Sequence, residues 1–161
     1  MKGGTMQIIN NIRLIKHSIK VAFFSYYAAK RMRLSRVQCR NIFFAGLLHD
    51  IGKIKLNQRI LYKKNKLTTD EYEYIKQHVI LGTELLRKYK TPEVIIGIVE
   101  QHHEREDGTG YPKGLLGNEI SMESRILKVM DVYDALTSNR SYRKKYSRKK
   151  AIEIMLKEEL A

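Results

Sequence analysis

Five histidines and a few aspartates carry the chemical potential of this 161-residue chain. His102 and His103 are adjacent, end an apolar run and lead into a glycine-rich acidic turn, Q-H-H-E-R-E-D-G-T-G-Y-P over residues 101–112. They are too close to form a catalytic pair with one another and make better sense as two metal ligands leaving a helix end. His17, His49 and His78 each lie within or at the end of an apolar helical segment, and Asp50 follows His49 directly. A lone histidine on an apolar face is ordinarily a satisfied core residue. Five of them, with Asp50 and Asp131 in similar settings, change the balance, because buried imidazoles and carboxylates without partners are costly and coordination satisfies them. Imidazole and carboxylate without thiolate suit iron, manganese, zinc or nickel better than magnesium or calcium. Seven candidate ligands (His17, His49, Asp50, His78, His102, His103 and Asp131) are too many for one ion and about right for two. Two ions roughly 3.5–4 Å apart suit phosphoester hydrolysis by an activated hydroxide.

The elements that must position these residues read as helices. The length suits one domain with a core of its own, 43% of residues are hydrophobic and only two are proline. The expected class is all-α, a single-domain helical bundle. Residues 8–33 carry apolar residues at helical spacing, namely Ile8, Ile12, Ile15, Ile19, Ala22, Phe23 and Tyr26, with His17 close to that stripe. Ser35 with Gln38 forms a capping-box pattern that starts a second helix running to His49-Asp50. Residues 51–66 read as loop with a short helical turn. Thr68 with Glu71 opens a helix over residues 69–89 with His78 in its middle, and Thr91-Pro92 reads as an N-cap followed by proline at the first helical position. A loop of functional length spans residues 105–118. Ser121 or Glu123 then opens a helix holding Asp131 and Asp134, and Ser147 caps a last basic helix to about residue 159. Residues 1–7 are expected to be a tail, and residues 8–161 the functional domain.

The net charge of +14 suits a polyanionic partner: nucleic acid, a phosphorylated small molecule or an anionic membrane surface. Solvated helix faces explain the same number. A specific nucleic-acid role rests on charge alone, since no nucleic-acid motif is present. The single cysteine, Cys39, excludes an intrachain disulfide and suits a reducing cytoplasm. No apolar run approaches the roughly 18 residues of a membrane span.

The strings H-D-I-G-K at residues 49–53, His78, H-H-E-x-x-D-G-x-G-Y-P at residues 102–112 and D-V-Y-D-A-L-T at residues 131–137 closely resemble the HD-GYP family of HD-superfamily cyclic di-GMP phosphodiesterases. The resemblance covers about residues 17–154. It implies an all-helical HD fold, two divalent metal ions (iron or manganese first), and hydrolysis of cyclic di-GMP to linear pGpG and then GMP. It also implies that His17, His49, Asp50, His78, His102, His103 and Asp131 hold the metals, with Asp50 bridging. By the same resemblance Lys53 contacts the scissile phosphate, Tyr111 lines the substrate pocket, and Arg140 and Arg143 hold the substrate's phosphates. Glu104 and Asp107 are expected to orient ligands or brace the loop, and Asp134 either to support a ligand by hydrogen bonding or to bond in helix packing.

The chain departs from the family pattern at Arg13, where some members carry a glutamate that helps hold a third metal; a cation there favours two metals. Ser121 stands where a proline is common. Many relatives carry a further C-terminal helix and a preceding sensor domain that this sequence does not show, so core closure and oligomerisation stay open. Input is expected from a partner (a regulatory protein or a homodimer) or from a part of the protein outside this sequence. Two other functions fit the same residues: the same chemistry on another cyclic dinucleotide or nucleotide phosphoester, and a cyclic-dinucleotide-binding or protein-docking module without turnover.

Overall fold

The computed structural model describes residues 2–63, 65–139 and 143–159. Among them the chain is helical with no strand, and one isolated bridge joins Asp107 to Leu116. The order is α1 (Lys2–Arg31), α2 (Arg36–Leu48), a 3-10 helix (Ile51–Lys55), α3 (Gln58–Leu61), α4 (Thr69–Lys76), α5 (His78–Lys88), α6 (Glu93–Gln101), a second 3-10 helix (Gly117–Glu119), α7 (Met122–Thr137) and α8 (Arg148–Glu159). The core gathers Val21 and Ala29 of α1, Ile42 and Ala45 of α2, Leu86 of α5, Ile96 and Val99 of α6 and Leu127 of α7. Between α7 and α8 lies a groove of about 600 Å³, walled by Val129, Met130, Tyr133 and Met155 among others.

Helix starts follow local chemistry. Ser35 accepts from the Gln38 amide while Gln38 reaches back to Ser35, and Thr68 and Glu71 do the same for α4. Ser121 caps α7 by accepting from Ser124, and Ser147 accepts from the Lys150 amide at the start of α8. At α6 the N-cap is Pro92, with no side-chain bond, one residue later than the Thr91 reading.

Three expectations give way. First, helix α1 begins at Lys2, so residues 2–7, expected to be a tail, continue it.

Second, its apolar stripe faces outward. Ile12, Ile15, Ile19 and Phe23 are 41–57% exposed, while the inward line is Ser18, Val21, Ala22, Ser25 and Ala29. The reason is how closely α1 and α2 approach: a Cβ on Gly46 of α2 would stand 2.6 Å from the Ala22 Cα. Only small side chains fit that seam, and bulk is turned away from it.

Third, the helix expected over residues 69–89 is two helices interrupted at Gln77. The interruption falls where the 3-10 helix packs on α5. A Cβ on Gly52 would meet the His78 carbonyl oxygen at 1.9 Å, so the two backbones touch there with no side chain between them. This long-range fit overrides the local helical pattern and sets His78 at the start of α5 instead of mid-helix.

Candidate metal centre

Six elements deliver the ligand candidates to one place. His17 comes from the middle of α1, His49 from the C-cap of α2, and Asp50 from the N-cap of the 3-10 helix. His78 opens α5, His102 is the C-cap of α6 with His103 beyond it, and Asp131 lies in α7. His49, Asp50, His78 and His102 are buried; His17, His103 and Asp131 are partly exposed.

Three of the histidines are oriented by one device. Each donates Nδ1–H to the carbonyl three residues earlier: His49 to Gly46 (2.8 Å), His78 to Ile75 (2.8 Å) and His102 to Val99 (2.6 Å). That fixes the tautomer and leaves Nε2 as the lone-pair atom. The Nε2 atoms of all three, with Asp50 Oδ1, are buried with no hydrogen-bond partner. Converging buried acceptors of this kind are what a cation satisfies. The ligand atoms fall into two groups, His17 with His49 and Asp50, and His78 with His102 and His103, each within 4.8 Å.

Asp50 faces both groups. Its Oδ2 lies 3.4 Å from His49 Nε2 and 3.7 Å from His17 Nε2, and its Oδ1 lies 3.5 Å from His78 Nε2. His17 is held at both ring nitrogens: Nδ1 bonds Asp134 Oδ2 at 2.6 Å and Nε2 lies 3.0 Å from Asp131 Oδ1. Asp134 also accepts from Ser138 Oγ at 2.9 Å, with Lys20 Nζ 3.5 Å away.

The donor set therefore fits a divalent ion, and its protonation is uneven. Burial disfavours the charged form of every histidine here. At His17 the hydrogen bonds to Asp131 and Asp134 outweigh burial and bring the imidazole up to about 9. His49 is also raised against burial, chiefly by the Asp50 charge. At the other three burial outweighs the pull of the nearby carboxylates, so His78 and His102 are held down and His103 falls to about 3. Burial pushes both aspartates the other way, yet the His49 and Lys53 charges hold Asp50 well below the carboxylate range, and the His17 bond does so for Asp131.

The remaining residues singled out in the sequence form the rim. Lys53 Nζ is 2.6 Å from Asp50 Oδ2. Tyr111 stacks on His103, centroids 4.7 Å apart at 24°, with Lys76 Nζ 5.3 Å from its ring centre. Burial raises the Tyr111 phenol far above its ordinary range. Glu104 is buried and accepts from the Lys113 and Leu115 amides at 2.7 and 3.0 Å, so it braces the G-Y-P turn. Asp107 bonds the Thr109 amide and hydroxyl and pairs with Arg105, which brings its carboxyl down to about 2.

Arg143 donates to the Ala135, Leu136 and Lys144 carbonyls and lies over the Tyr146 ring, where it closes the end of α7. Arg140 lies outside the described residues. Sequence reasoning missed the Nδ1-to-carbonyl device and the contact between Gly52 and α5. For the first, a signal was present at two of the three: His49 and His102 each end an apolar helical run in the sequence, whereas His78 reads as mid-helix.

Comparison with known proteins places the chain in a family. The family model described as HD domain matches residues 5–161. A protein of Thermotoga maritima named cyclic di-GMP phosphodiesterase is 42% identical over 130 residues, 80% of this chain and 35% of that one. A protein of Vibrio cholerae named 3'3'-cGAMP-specific phosphodiesterase 1 is 38% identical over 140 residues, 87% of this chain and 32% of that one. The chain thus spans about a third of the length of the curated relatives it matches. Among solved structures, Bd1817, a HDG"Y"P protein from Bdellovibrio bacteriovorus, superposes with a TM-score of 0.73 at 21% identity, over 90% of this chain and 46% of that one. That likeness is one of fold.

Proposed function

Because the chain belongs to the HD domain family, in its HD-GYP branch, we propose that it hydrolyses cyclic dinucleotides, cyclic di-GMP first among them, as a metal-dependent phosphodiesterase. The observation that carries the reading is Asp50 between two ligand groups, one carboxylate oxygen toward each. On this reading His17, His49 and Asp131 would hold one divalent ion and His78, His102 and His103 the other, with Asp50 available to both. Iron or manganese is the proposed pair, with zinc and nickel accommodated by the same donors. When bound, such ions supply Lewis acidity and bring the pKa of water toward neutrality.

The protein's own groups do the rest. Lys53 holds a fixed positive charge beside Asp50 and would meet the scissile phosphate. Tyr111, stacked on His103, would form an aromatic wall of the substrate pocket. Arg140 and Arg143 are the proposed contacts for the remaining phosphate, Arg143 by exchanging one of its carbonyl bonds for a charge-assisted one. The products would be linear pGpG and then GMP. Cys39, a single buried thiol, supports the cytoplasm as the compartment.

The test is Asp50→Ala in protein purified without oxygen and loaded with manganese or iron. Product formation should be lost and metal content should fall while the circular dichroism stays helical; full activity in that variant would sink the reading. A second substrate is favoured by the Vibrio cholerae relative, which is named for 3'3'-cGAMP. Turnover of cyclic di-GMP and 3'3'-cGAMP at equal metal loading separates the two.

A further inference from the structure

The outward face of α1 is the largest feature the metal centre does not explain. Ile12, Ile15, Ile19, Phe23 and Tyr27 are 41–58% exposed and follow one another at three- and four-residue steps. At about 1.5 Å per residue they run for about 22 Å, some four helical turns. Helix α2 widens the strip: Phe23 packs edge-on against Phe43 (5.3 Å), Phe43 against Phe44 (5.8 Å), and Phe44 is itself 43% exposed. At the other end the strip sinks into a depression of about 290 Å³. Leu14, Ile15, Ile19, Leu47, Ile51 and Ile54 wall it, and Asp50 reaches its floor. Scattered exposed apolar residues need no explanation, but a continuous patch ending in a hole is an interaction surface.

Charge identifies the occupant. Of the 31 basic and 17 acidic side chains, 15 basic and one acidic fall within residues 1–69, and the one is the buried Asp50. Residues 70–161 hold 16 of each, so the whole +14 belongs to the part of the chain that contains α1, α2 and the first 3-10 helix. Among the described residues, Arg13, Lys16, Lys30, Arg36 and Arg40 form no ion pair with a carboxylate, whereas the exposed Lys20 reaches Ser138 and Asp134. A second copy would oppose this face with equal positive charge. A lipid surface has no use for a hole larger than a leucine or phenylalanine side chain.

We propose that the α1–α2 face docks an amphipathic helix of a partner protein, one that inserts a large apolar side chain into the depression and flanks its apolar stripe with Asp and Glu. The helix-in-groove mode supplies apolar anchors at three- and four-residue spacing, and the flanking charges set orientation and association rate. The inference stands whether or not the chain is a phosphodiesterase.

The test pans a displayed library of 18-residue amphipathic helices, randomised in flank charge, against the full chain, with Phe23→Ser and Ile15→Ser proteins as counter-targets. Enriched helices should be acidic at the flanks. They should lose at least tenfold in affinity against either variant and against Lys16→Glu, which leaves the apolar strip intact, and weaken several-fold between 50 and 300 mM salt. Thermal melts of the three exposed-site variants check folding. The proposal is overturned if no helix is enriched over the counter-targets, or if the enriched helices are basic. It is also overturned if Phe23→Ser abolishes sedimentation with phosphatidylglycerol vesicles, which would assign the face to lipid. Conversion of a dimer to a monomer by Phe23→Ser would assign it to a second copy.

Discussion

Asp134 touches no proposed metal position and should nevertheless control one. It is buried, and its Oδ2 accepts a hydrogen bond from His17 Nδ1–H at 2.6 Å, leaving Nε2 to face Asp50 and Asp131. Asp134→Asn keeps the shape of the side chain but removes the charge and lets an amide NH2 point at Nδ1. The imidazole then gains by shifting its proton to Nε2, the atom needed for coordination. A hydrogen bond to a charged group contributes about 1.5–3 kcal/mol. At about 1.4 kcal/mol per decade the loss corresponds to roughly ten- to a hundredfold in affinity at the His17 half of the site, the range typical of residues that orient ligands. The His78, His102 and His103 group has its own anchors and should keep its affinity. Titration of metal-free protein with manganese, followed by calorimetry, should therefore show one step weakened and one unchanged. Two steps indistinguishable from wild type would refute the reasoning, and equal weakening of both would show general disruption.

Other outcomes follow from the same geometry. Gly52→Ala forces a Cβ onto two backbones, those of His78 and Gly82. It should cost about 1–3 kcal/mol by overpacking, read as a lower denaturation midpoint. Glu104→Ala leaves the Lys113 and Leu115 amides without their acceptor. It should free the G-Y-P turn, with faster amide exchange over residues 108–115 and weaker cyclic di-GMP turnover. In the metal-free protein His17 is raised from 6.5 to about 9, so its contribution to stability is full below pH 6.5 and disappears as pH climbs toward 9. His103 is lowered from 6.5 to about 3, so the unfolded chain takes up its proton first and stability falls as pH drops from 6.5 toward 3. Thermal melts of apoprotein should accordingly peak near pH 6.5 and decline on both sides.

Much of the site was legible in the sequence because four of its residues lie at helix boundaries with strong local signals, while His17 and Asp131 lie within helices. His49-Asp50 ends an apolar helix, His102-His103 ends another, and capping residues at Ser35, Thr68 and Ser121 fix where three helices begin. What was not legible depends on contacts between distant segments. The inward face of α1 is built of small residues because Gly46 admits α2 against Ala22, and a stripe of isoleucines at helical spacing points the other way. The division at Gln77 reflects Gly52 lying on α5 from 26 residues away, which no window over residues 69–89 contains. Arg143 reads as a phosphate ligand by type, whereas its hydrogen bonds to the end of α7 belong to tertiary structure.

The stack of His103 on Tyr111 has a consequence for how the centre moves. Among the described residues, His103 alone of the five imidazoles has no ring hydrogen bond; the Tyr111 ring stacks on it at 4.7 Å and the His102 ring lies 3.9 Å away, tilted by 41°. Stacking resists tilting but permits sliding in the plane. His103 is the compliant member of an otherwise rigid cage, and its ring resonances should be exchange-broadened in metal-free protein where those of His49, His78 and His102 stay sharp. On the proposed reading, the same compliance would let one ligand yield to an arriving phosphate without loosening the other four histidines.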